Sequence, residues 1–335
     1  MSATTPASRI ALDVMGGDAA PEAVLQGALR ACSDQAKTRI SAERVLLVGD
    51  EPVIAARLEE LGGNPGFAIE HASQVIEMGE SPGKALRAKP DSSIAVCVKA
   101  VKTGQAGALV SMGNTGAVVG ASTLGLGTLE GVRRPGIAVT LDLTGHPATI
   151  IDMGANIAPK PSHLLQYAQM GTIYMRDCLA TPNPRVGLLN IGEESSKGTE
   201  LLKEAHVLLS ESNLDFVGNV EGTDIFLDKT DVVVADGFTG NVVLKLLEGF
   251  SSFMLRLVMT ELQRHDVNWG GEALKNVRKN IDYSEYGGAL LLGVNGIVVI
   301  GHGKSDAAAV ANACGLSARA LDAGVNEHIV AGLRA

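Results

Sequence analysis

A chain of 335 residues with a formal net charge of −9 is poorly suited to general nucleic-acid binding, which needs a basic surface. Hydrophobic residues make up 46% of it and aromatics only 3%, so the core must be built from Ala, Val, Leu and Ile, as in layered α/β proteins. No run of about 18 apolar residues occurs, so no membrane span is expected, and the opening residues MSATTPASRIALD lack the pattern of a signal peptide.

Residues 10–13 (IALD) read as a first strand. It runs into Met15-Gly16-Gly17-Asp18 and a helix over about 21–32, a glycine turn before a helix start that suits an anion. The pattern is not GxGxxG, which weakens a dinucleotide reading. A strand over 44–49, a helix over 52–61 and a short strand over 68–71 follow, with His71 read as structural. Residues 78–93 (MGESPGKALRAKPDSS) bring Lys84, Arg87 and Lys89 together with Ser81, Ser92 and Ser93. This is either a grip for an acidic ligand or a solvated helix face. A helix is expected to continue to 102.

A strand over 108–111 ends at Ser111 and enters Met112-Gly113-Asn114-Thr115-Gly116, then a helix over 117–123. Arg133-Arg134 is a local basic spot before a strand over 136–141. The strand over 149–152 ends in Asp152-Met153-Gly154-Ala155-Asn156. A helix over 162–177 follows, where His163 is read as a surface residue. The strand over 185–189 leads through residues 190–194 and Ser195-Ser196-Lys197-Gly198-Thr199 into a helix to about 210, then a strand over 216–220. Val232, Val233 and Val234 form the next buried strand. Asp236-Gly237 breaks it, with Thr239 in the turn, and Gly240-Asn241 opens a helix with Val242, Val243, Leu246 and Leu247 at helical spacing.

Strands alternating with helices predict a mainly parallel sheet with helices on both faces. The turns bearing Gly, Asn and Asp fall at strand ends, so they are expected along one sheet edge, converging on a cleft. Residues 249–283 break the rhythm. Phe250, Phe253, Met254, Leu257, Val258 and Leu262 make an apolar stripe, Trp269 sits in a turn, and Lys275, Arg278 and Lys279 mark a basic helix. This is a helical hairpin for core, dimer or membrane-surface packing. Residues 297–300 are a strand ending at Gly301-His302-Gly303-Lys304-Ser305-Asp306. The GKS there would need Gly at the position of Val298 to be a nucleotide P-loop, and that reading is rejected. His302, in a glycine-flanked turn after a strand, is read as functional. Cys32, Cys97, Cys178 and Cys314 lack metal-ligand spacing and are expected as buried free thiols.

Taken in order, ALDVMGGD (11–18), SPGKALRAKPDSS (81–93), SMGNTGA (111–117), DMGAN (152–156), GLLNIGEESSKG (187–198), VEGTDIF (220–226), VVADGFTGNVVLK (233–245) and YGGALLLGVNGIVVIGHGKS (286–305) cover nearly the whole chain. Together they resemble the PlsX family, the phosphate acyltransferases of bacterial phospholipid synthesis. One departure is Leu290, where the family pattern has proline and a turn is expected to change. The resemblance implies transfer of a fatty acyl group from acyl-[acyl carrier protein] to inorganic phosphate, without a cofactor. It also implies a cytoplasmic homodimer with peripheral membrane contact, here placed at 250–280. The implied fold is a layered α/β/α type, similar to phosphotransacetylase and isocitrate dehydrogenase, with two subdomains and a cleft between them. The expected division is 1–135, completed by 301–335, and 136–300.

The chemistry fits these residues. Phosphate must be held near a thioester carbonyl, and the tetrahedral intermediate needs donors at its oxyanion. Lys197 and Asn241 are the expected catalytic pair, supported by His302 for the leaving thiolate or for phosphate. Gly16, Gly17, Asp18, Arg87, Ser111, Asn114, Thr115, Asp152, Asn156, Asp236, Thr239 and Ser305 are the expected substrate and phosphate contacts. Phosphate is already a nucleophile, so neither a strong base nor a metal is required; the aspartates at strand ends suit loop fixing. Acyl carrier protein is acidic and needs a local basic patch, for which Arg133-Arg134 and 275–279 are candidates. An acyl-CoA enzyme, a dehydrogenase and a non-catalytic scaffold are the competing readings.

Overall fold

The computed structural model describes residues 8–142, 145–264 and 287–334. The chain divides into two compact units, Met1–Pro135 with Tyr286–Ala335, and Gly136–Glu285.

In the first unit, β1 (Ile10–Asp13) is flanked by β2 (Val45–Gly49) and β4 (Ala108–Ser111), both parallel to it; β3 (Ala68–His71) pairs with β2. Every residue of β1, β2 and β4 is buried, the pattern of parallel strands covered on both faces. Helices α1 (Glu22–Ala31), α2 (Glu51–Glu60), α3 (Pro82–Ala88), α4 (Ser93–Lys102) and α5 (Thr115–Leu126) connect them. The chain returns to this unit as β10 (Ala289–Leu292) and β11 (Ile297–Ile300), followed by α9 (Ala307–Asp322) and α10 (Val325–Arg334). Helices α4 and α9 both pack on β1 and β4, and α1 packs on α9.

Three expectations change here. Residues 289–300 belong to the first unit rather than the second, because β11 pairs parallel with β4, Ile297 to Ile300 against Ala108 to Ser111. The β10 strand is antiparallel to β11, and Leu290 lies in it, buried opposite Val299, rather than in a turn. The helix expected to run on to 102 is two helices. Lys89 ends α3, and Ser92 caps α4 by accepting from the Ala95 N–H.

In the second unit, β5 (Gly136–Asp142) is antiparallel to β6 (Pro147–Ile151), and β6, β9 (Val232–Val234), β7 (Arg185–Leu189) and β8 (Asp215–Val220) follow in that order, all parallel. Helix α6 (Pro161–Leu179) packs on β6 and β9, and α7 (Glu200–Ser210) packs on α6 and β8. His163 is buried and takes part in capping α6, its Nδ1 accepting from the Lys160 N–H; it is not a surface residue. Helix α8 (Gly237–Arg264) begins one turn earlier than the Gly240 start expected. Of the described cysteines, Cys97 and Cys314 are buried, while Cys32 and Cys178 are half-buried; all are free thiols. Trp269, Lys275, Arg278, Lys279 and the second arm of the expected hairpin lie outside the described residues.

Candidate active site

Because the central strands of each unit are parallel, their C-terminal loops emerge at one edge, and those loops carry the expected site residues. Each unit presents its own cluster.

In the first unit the loops after β1, β4 and β11 meet. Asp13 is fully buried at the end of β1; its Oδ2 accepts from Ser111 Oγ at 2.6 Å and its Oδ1 from the Met15 N–H. Burial pushes its carboxyl up, against hydrogen bonds from Ser111, Ser93, Met15 and Gly16 that favour the charged form. Ser111 in turn accepts from the Gly113 N–H at 3.0 Å. A side chain at Gly16 would strike Asp13 Oδ2 and the Gly113 nitrogen, so the first two turns fit together only with glycine there. The Asp18 N–H donates to the Gly303 carbonyl at 2.7 Å, joining the first turn to the one after β11.

Asn114 caps α5 by accepting from the Ala117 N–H, and its amide donates to the carbonyls of Met78 and Glu80, each at 3.0 Å. It therefore fixes the loop leading into α3, and its amide is already engaged by protein. Thr115 is exposed at the first residue of α5. Arg87 and Lys84 are exposed on α3 with no side-chain partner among the described residues, whereas Lys89 is held by Glu80 and the Val75 carbonyl. Arg87 reaches this cluster only through the packing of α3 on α5. His302 Nδ1 accepts from the Lys304 N–H at 3.1 Å, so in the neutral ring the proton sits on Nε2. Ser305 Oγ is buried without a hydrogen-bond partner among the described residues.

The second unit repeats the device. Asp152 is fully buried at the end of β6. Its Oδ1 accepts from the N–H groups of Ile137, Gly154 and Ala155, and its Oδ2 from that of Asn156 at 2.7 Å. Burial again pushes the carboxyl up, and these four donors oppose it. The turn so formed is the seat of α8. The Gly237 N–H donates to the Asn156 carbonyl at 2.9 Å. A Cβ at Gly237 would lie 2.5 Å from that oxygen, and one at Gly240 would overlap the Asp152 carbonyl. Asp236 caps the helix, accepting from the N–H groups of Phe238 and Thr239 and from Thr239 Oγ1 at 2.6 Å.

Asn241 is the first exposed polar residue past this seat. It stands over Gly154, its Cβ and Cγ 3.5 Å from where a Cβ there would be, and its amide has no partner among the described residues. Asn156 donates to Tyr167 Oη at 2.8 Å. On the neighbouring loop after β7, Lys197 is exposed with no counterion among the described residues. That loop is shaped from beneath. Asn190 donates to the Lys197 carbonyl at 3.2 Å, Asn219 donates to the Glu194 carbonyl at 2.9 Å, and Gly198 takes the left-handed φ of +86° over Asn190.

Asp152, Asn156, Asp236, Thr239 and Asn241 are thus brought together, with Lys197 on the adjoining loop; Gly16, Gly17, Asp18, Ser111, Asn114, His302 and Ser305 are brought together in the first unit. Asp13 does the loop fixing expected of the strand-end aspartates; Asn190, Asn219 and Tyr167 are the organising residues that motif reading did not select. Asn190 at a strand end offered the same signal as Asp152, while Asn219 and Tyr167 carry no sequence mark. Among the described residues no group of three His, Cys, Asp or Glu side chains is gathered as metal ligands.

In each unit a buried carboxylate braces glycine turns at the C-terminal edge of parallel strands, the place where α/β proteins hold their ligands. The fold is that of the phosphotransacetylases. It is similar to the phosphotransacetylase of Streptococcus pyogenes at a TM-score of 0.63 and 16% identity over 94% of each chain. A branched-chain phosphotransacylase from Enterococcus faecalis gives 0.54 at 15% identity over 93% and 98%. The family described as fatty acid synthesis protein matches residues 8–328. Phosphate acyltransferases of Heliobacterium modesticaldum and Endomicrobium trichonymphae are 46% and 43% identical, each over 96% of this chain and 97% of the relative. The chain belongs to this family and is an acyltransferase.

Proposed function

We propose that this enzyme moves a fatty acyl group from the thioester of an acyl-[acyl carrier protein] to inorganic phosphate, giving an acyl phosphate and the free carrier thiol. Acyl transfer to phosphate is the activity named for its relatives. The observation that carries the mechanism is that Lys197, on the loop after β7, and Asn241, in the first turns of α8 after the neighbouring β9, are exposed and without protein partners among the described residues, while Asp152 and Asp236 are engaged by backbone N–H groups.

A phosphate oxygen attacks the carbonyl carbon and the C–O bond forms as the carbonyl becomes an oxyanion. Lys197 and the Asn241 amide bear the developing charge. The tetrahedral intermediate collapses with loss of the C–S bond. With hydrogen phosphate as nucleophile, the proton it gives up equals the one the leaving thiolate takes, so the step balances without an added acid or base. In the first unit, Ser305 Oγ, buried without a partner among the described residues, is read as a phosphate contact.

Palmitoyl-carrier protein incubated with labelled phosphate, without added metal, is expected to yield labelled acyl phosphate. In Lys197→Ala the rate falls roughly 100- to 1000-fold with an unchanged melting temperature. Product from acyl-CoA but none from the carrier-protein thioester would transfer the reading to an acyl-CoA enzyme.

The same reading makes the protein a cytoplasmic homodimer that touches the membrane from one side. No helix among the described residues is long and apolar enough to cross a membrane. Helix α8 supports a surface contact, with Phe250, Phe253 and Leu257 all more than half exposed along one face. Phe250→Glu is expected to abolish flotation with anionic vesicles; unchanged flotation in that variant would remove α8 from the contact.

A further inference from the structure

The loops after β6 and β7 and the first turn of α8, which carry the second unit's polar donors, also turn large apolar side chains to solvent. Ile157, 74% exposed, follows Asn156; Phe238, 64% exposed, lies three residues before Asn241; Ile191, 81% exposed, lies in the same loop as Lys197. Single exposed apolar residues are ordinary. Their placement here is not scattered. The 2.9 Å hydrogen bond from the Gly237 N–H to the Asn156 carbonyl sets Phe238 and Ile157 immediately after its two ends. Ile191 follows β7, the strand next to β9, about 5 Å across the sheet. From Phe238, Val242 and Leu246 continue at i+4 and i+8, exposed on the same side of α8 and about 12 Å along it.

We infer that Phe238 and Ile157, flanked by Ile191 and continued by Val242 and Leu246, are the surface on which the fatty acyl chain of the substrate lies and by which its length is read. The inference rests on the reaction proposed above. In that reaction the reacting carbonyl is bonded directly to hydrocarbon, so donors for the oxyanion and an apolar track must adjoin. Asn241 and the Phe238–Ile157 pair meet that condition. A seam with a second copy of the chain would instead bury Asn241 and Lys197 against protein, where each would need a polar partner.

The test compares kcat/KM for palmitoyl- and butyryl-carrier protein at saturating phosphate, using the full chain and variants whose melting temperature matches it. Phe238→Ser and Ile157→Ser are each expected to lower the palmitoyl-to-butyryl ratio about tenfold, equivalent to withdrawing roughly two methylene groups from contact. Phe238→Leu is expected to restore most of it, and Val207→Ser, exposed on α7, to leave the ratio in place. An unmoved ratio in active variants overturns the inference and leaves the reaction standing. So does a variant whose mass by light scattering falls to half that of the parent chain, which would make this the seat of a second copy. Absence of acyl phosphate from either donor with the parent chain overturns both.

Discussion

Asp152 shows how much one side chain organises. Its carboxylate accepts from four backbone N–H groups, and the turn it shapes is the floor on which Gly237, Gly240 and Asn241 sit. Replacing one oxygen by an amide nitrogen would set a donor against donors in a fully buried place. Asp152→Asn is therefore expected to cost about 2 kcal/mol in urea denaturation. It should also lower kcat in the folded fraction, because Asn241 loses its floor. Full activity with lowered stability would separate the turn from the chemistry. The role of Asp152 was only partly legible in the sequence. An aspartate at a strand end before glycine signals a site, but it does not say whether the carboxylate faces ligand or backbone. The same ambiguity covers Asn114 and Asp236, whose polar atoms also serve the chain itself. Lys197 and Asn241 were legible as donors.

At the scale of elements, α8 contrasts two kinds of glycine in one helix. Gly240 lies against the Asp152 carbonyl with no room for a side chain, while a Cβ at Gly249 would meet nothing within 4 Å. Gly249→Ala is expected to stabilise by about 0.5–1 kcal/mol, since only the entropic cost of glycine in a helix is removed. Gly240→Ala is expected to destabilise by about 1–3 kcal/mol, because backbone must move. Paired thermal melts check both signs, and equal effects at the two positions would contradict the packing of α8 on the turn after β6. Periodicity found this helix but placed its start at Gly240, because glycine reads as a breaker and the Asp236–Thr239 cap is visible only once both residues are folded. Most parallel strands were legible from their apolar runs. Strand β10 was not: Ala289–Leu292 is as apolar as any buried segment, and its antiparallel partner β11 is set by tertiary pairing alone.

At the scale of the whole molecule, the second unit carries an ionic tie at the strand edge opposite to the loop of Lys197, which has no counterion among the described residues. There Arg185 and Asp231 join the starts of β7 and β9 through the Arg185 N–H, Nε and Nη2. Arg185 also reaches Asp228. Burial pushes the Asp231 carboxyl up, but the side-chain and backbone bonds from Arg185, and the charges of Arg185 and His146, outweigh it and hold the carboxyl below its ordinary value. A carboxyl depressed in the folded state contributes stability that is present above its unfolded pKa, near 4, and lost as pH falls through the folded value. Asp13 and Asp152, raised in the fold, act with the opposite sign, their contribution complete in acid and lost as pH rises through their folded values. The acid limb of the parent chain mixes these terms, but the difference between it and Asp231→Asn does not, because Asp13 and Asp152 are common to both. That difference in unfolding free energy is expected to be about 1–2 kcal/mol and flat near neutrality, given the partial exposure of Arg185. It should shrink as pH drops below about 4. Activity per folded molecule at neutral pH should not change, since the tie lies at the edge away from Asn241 and Lys197. A difference that grows in acid would reverse the sign assigned to Asp231. A fall in kcat without a fall in stability would overturn the division of labour between the two edges.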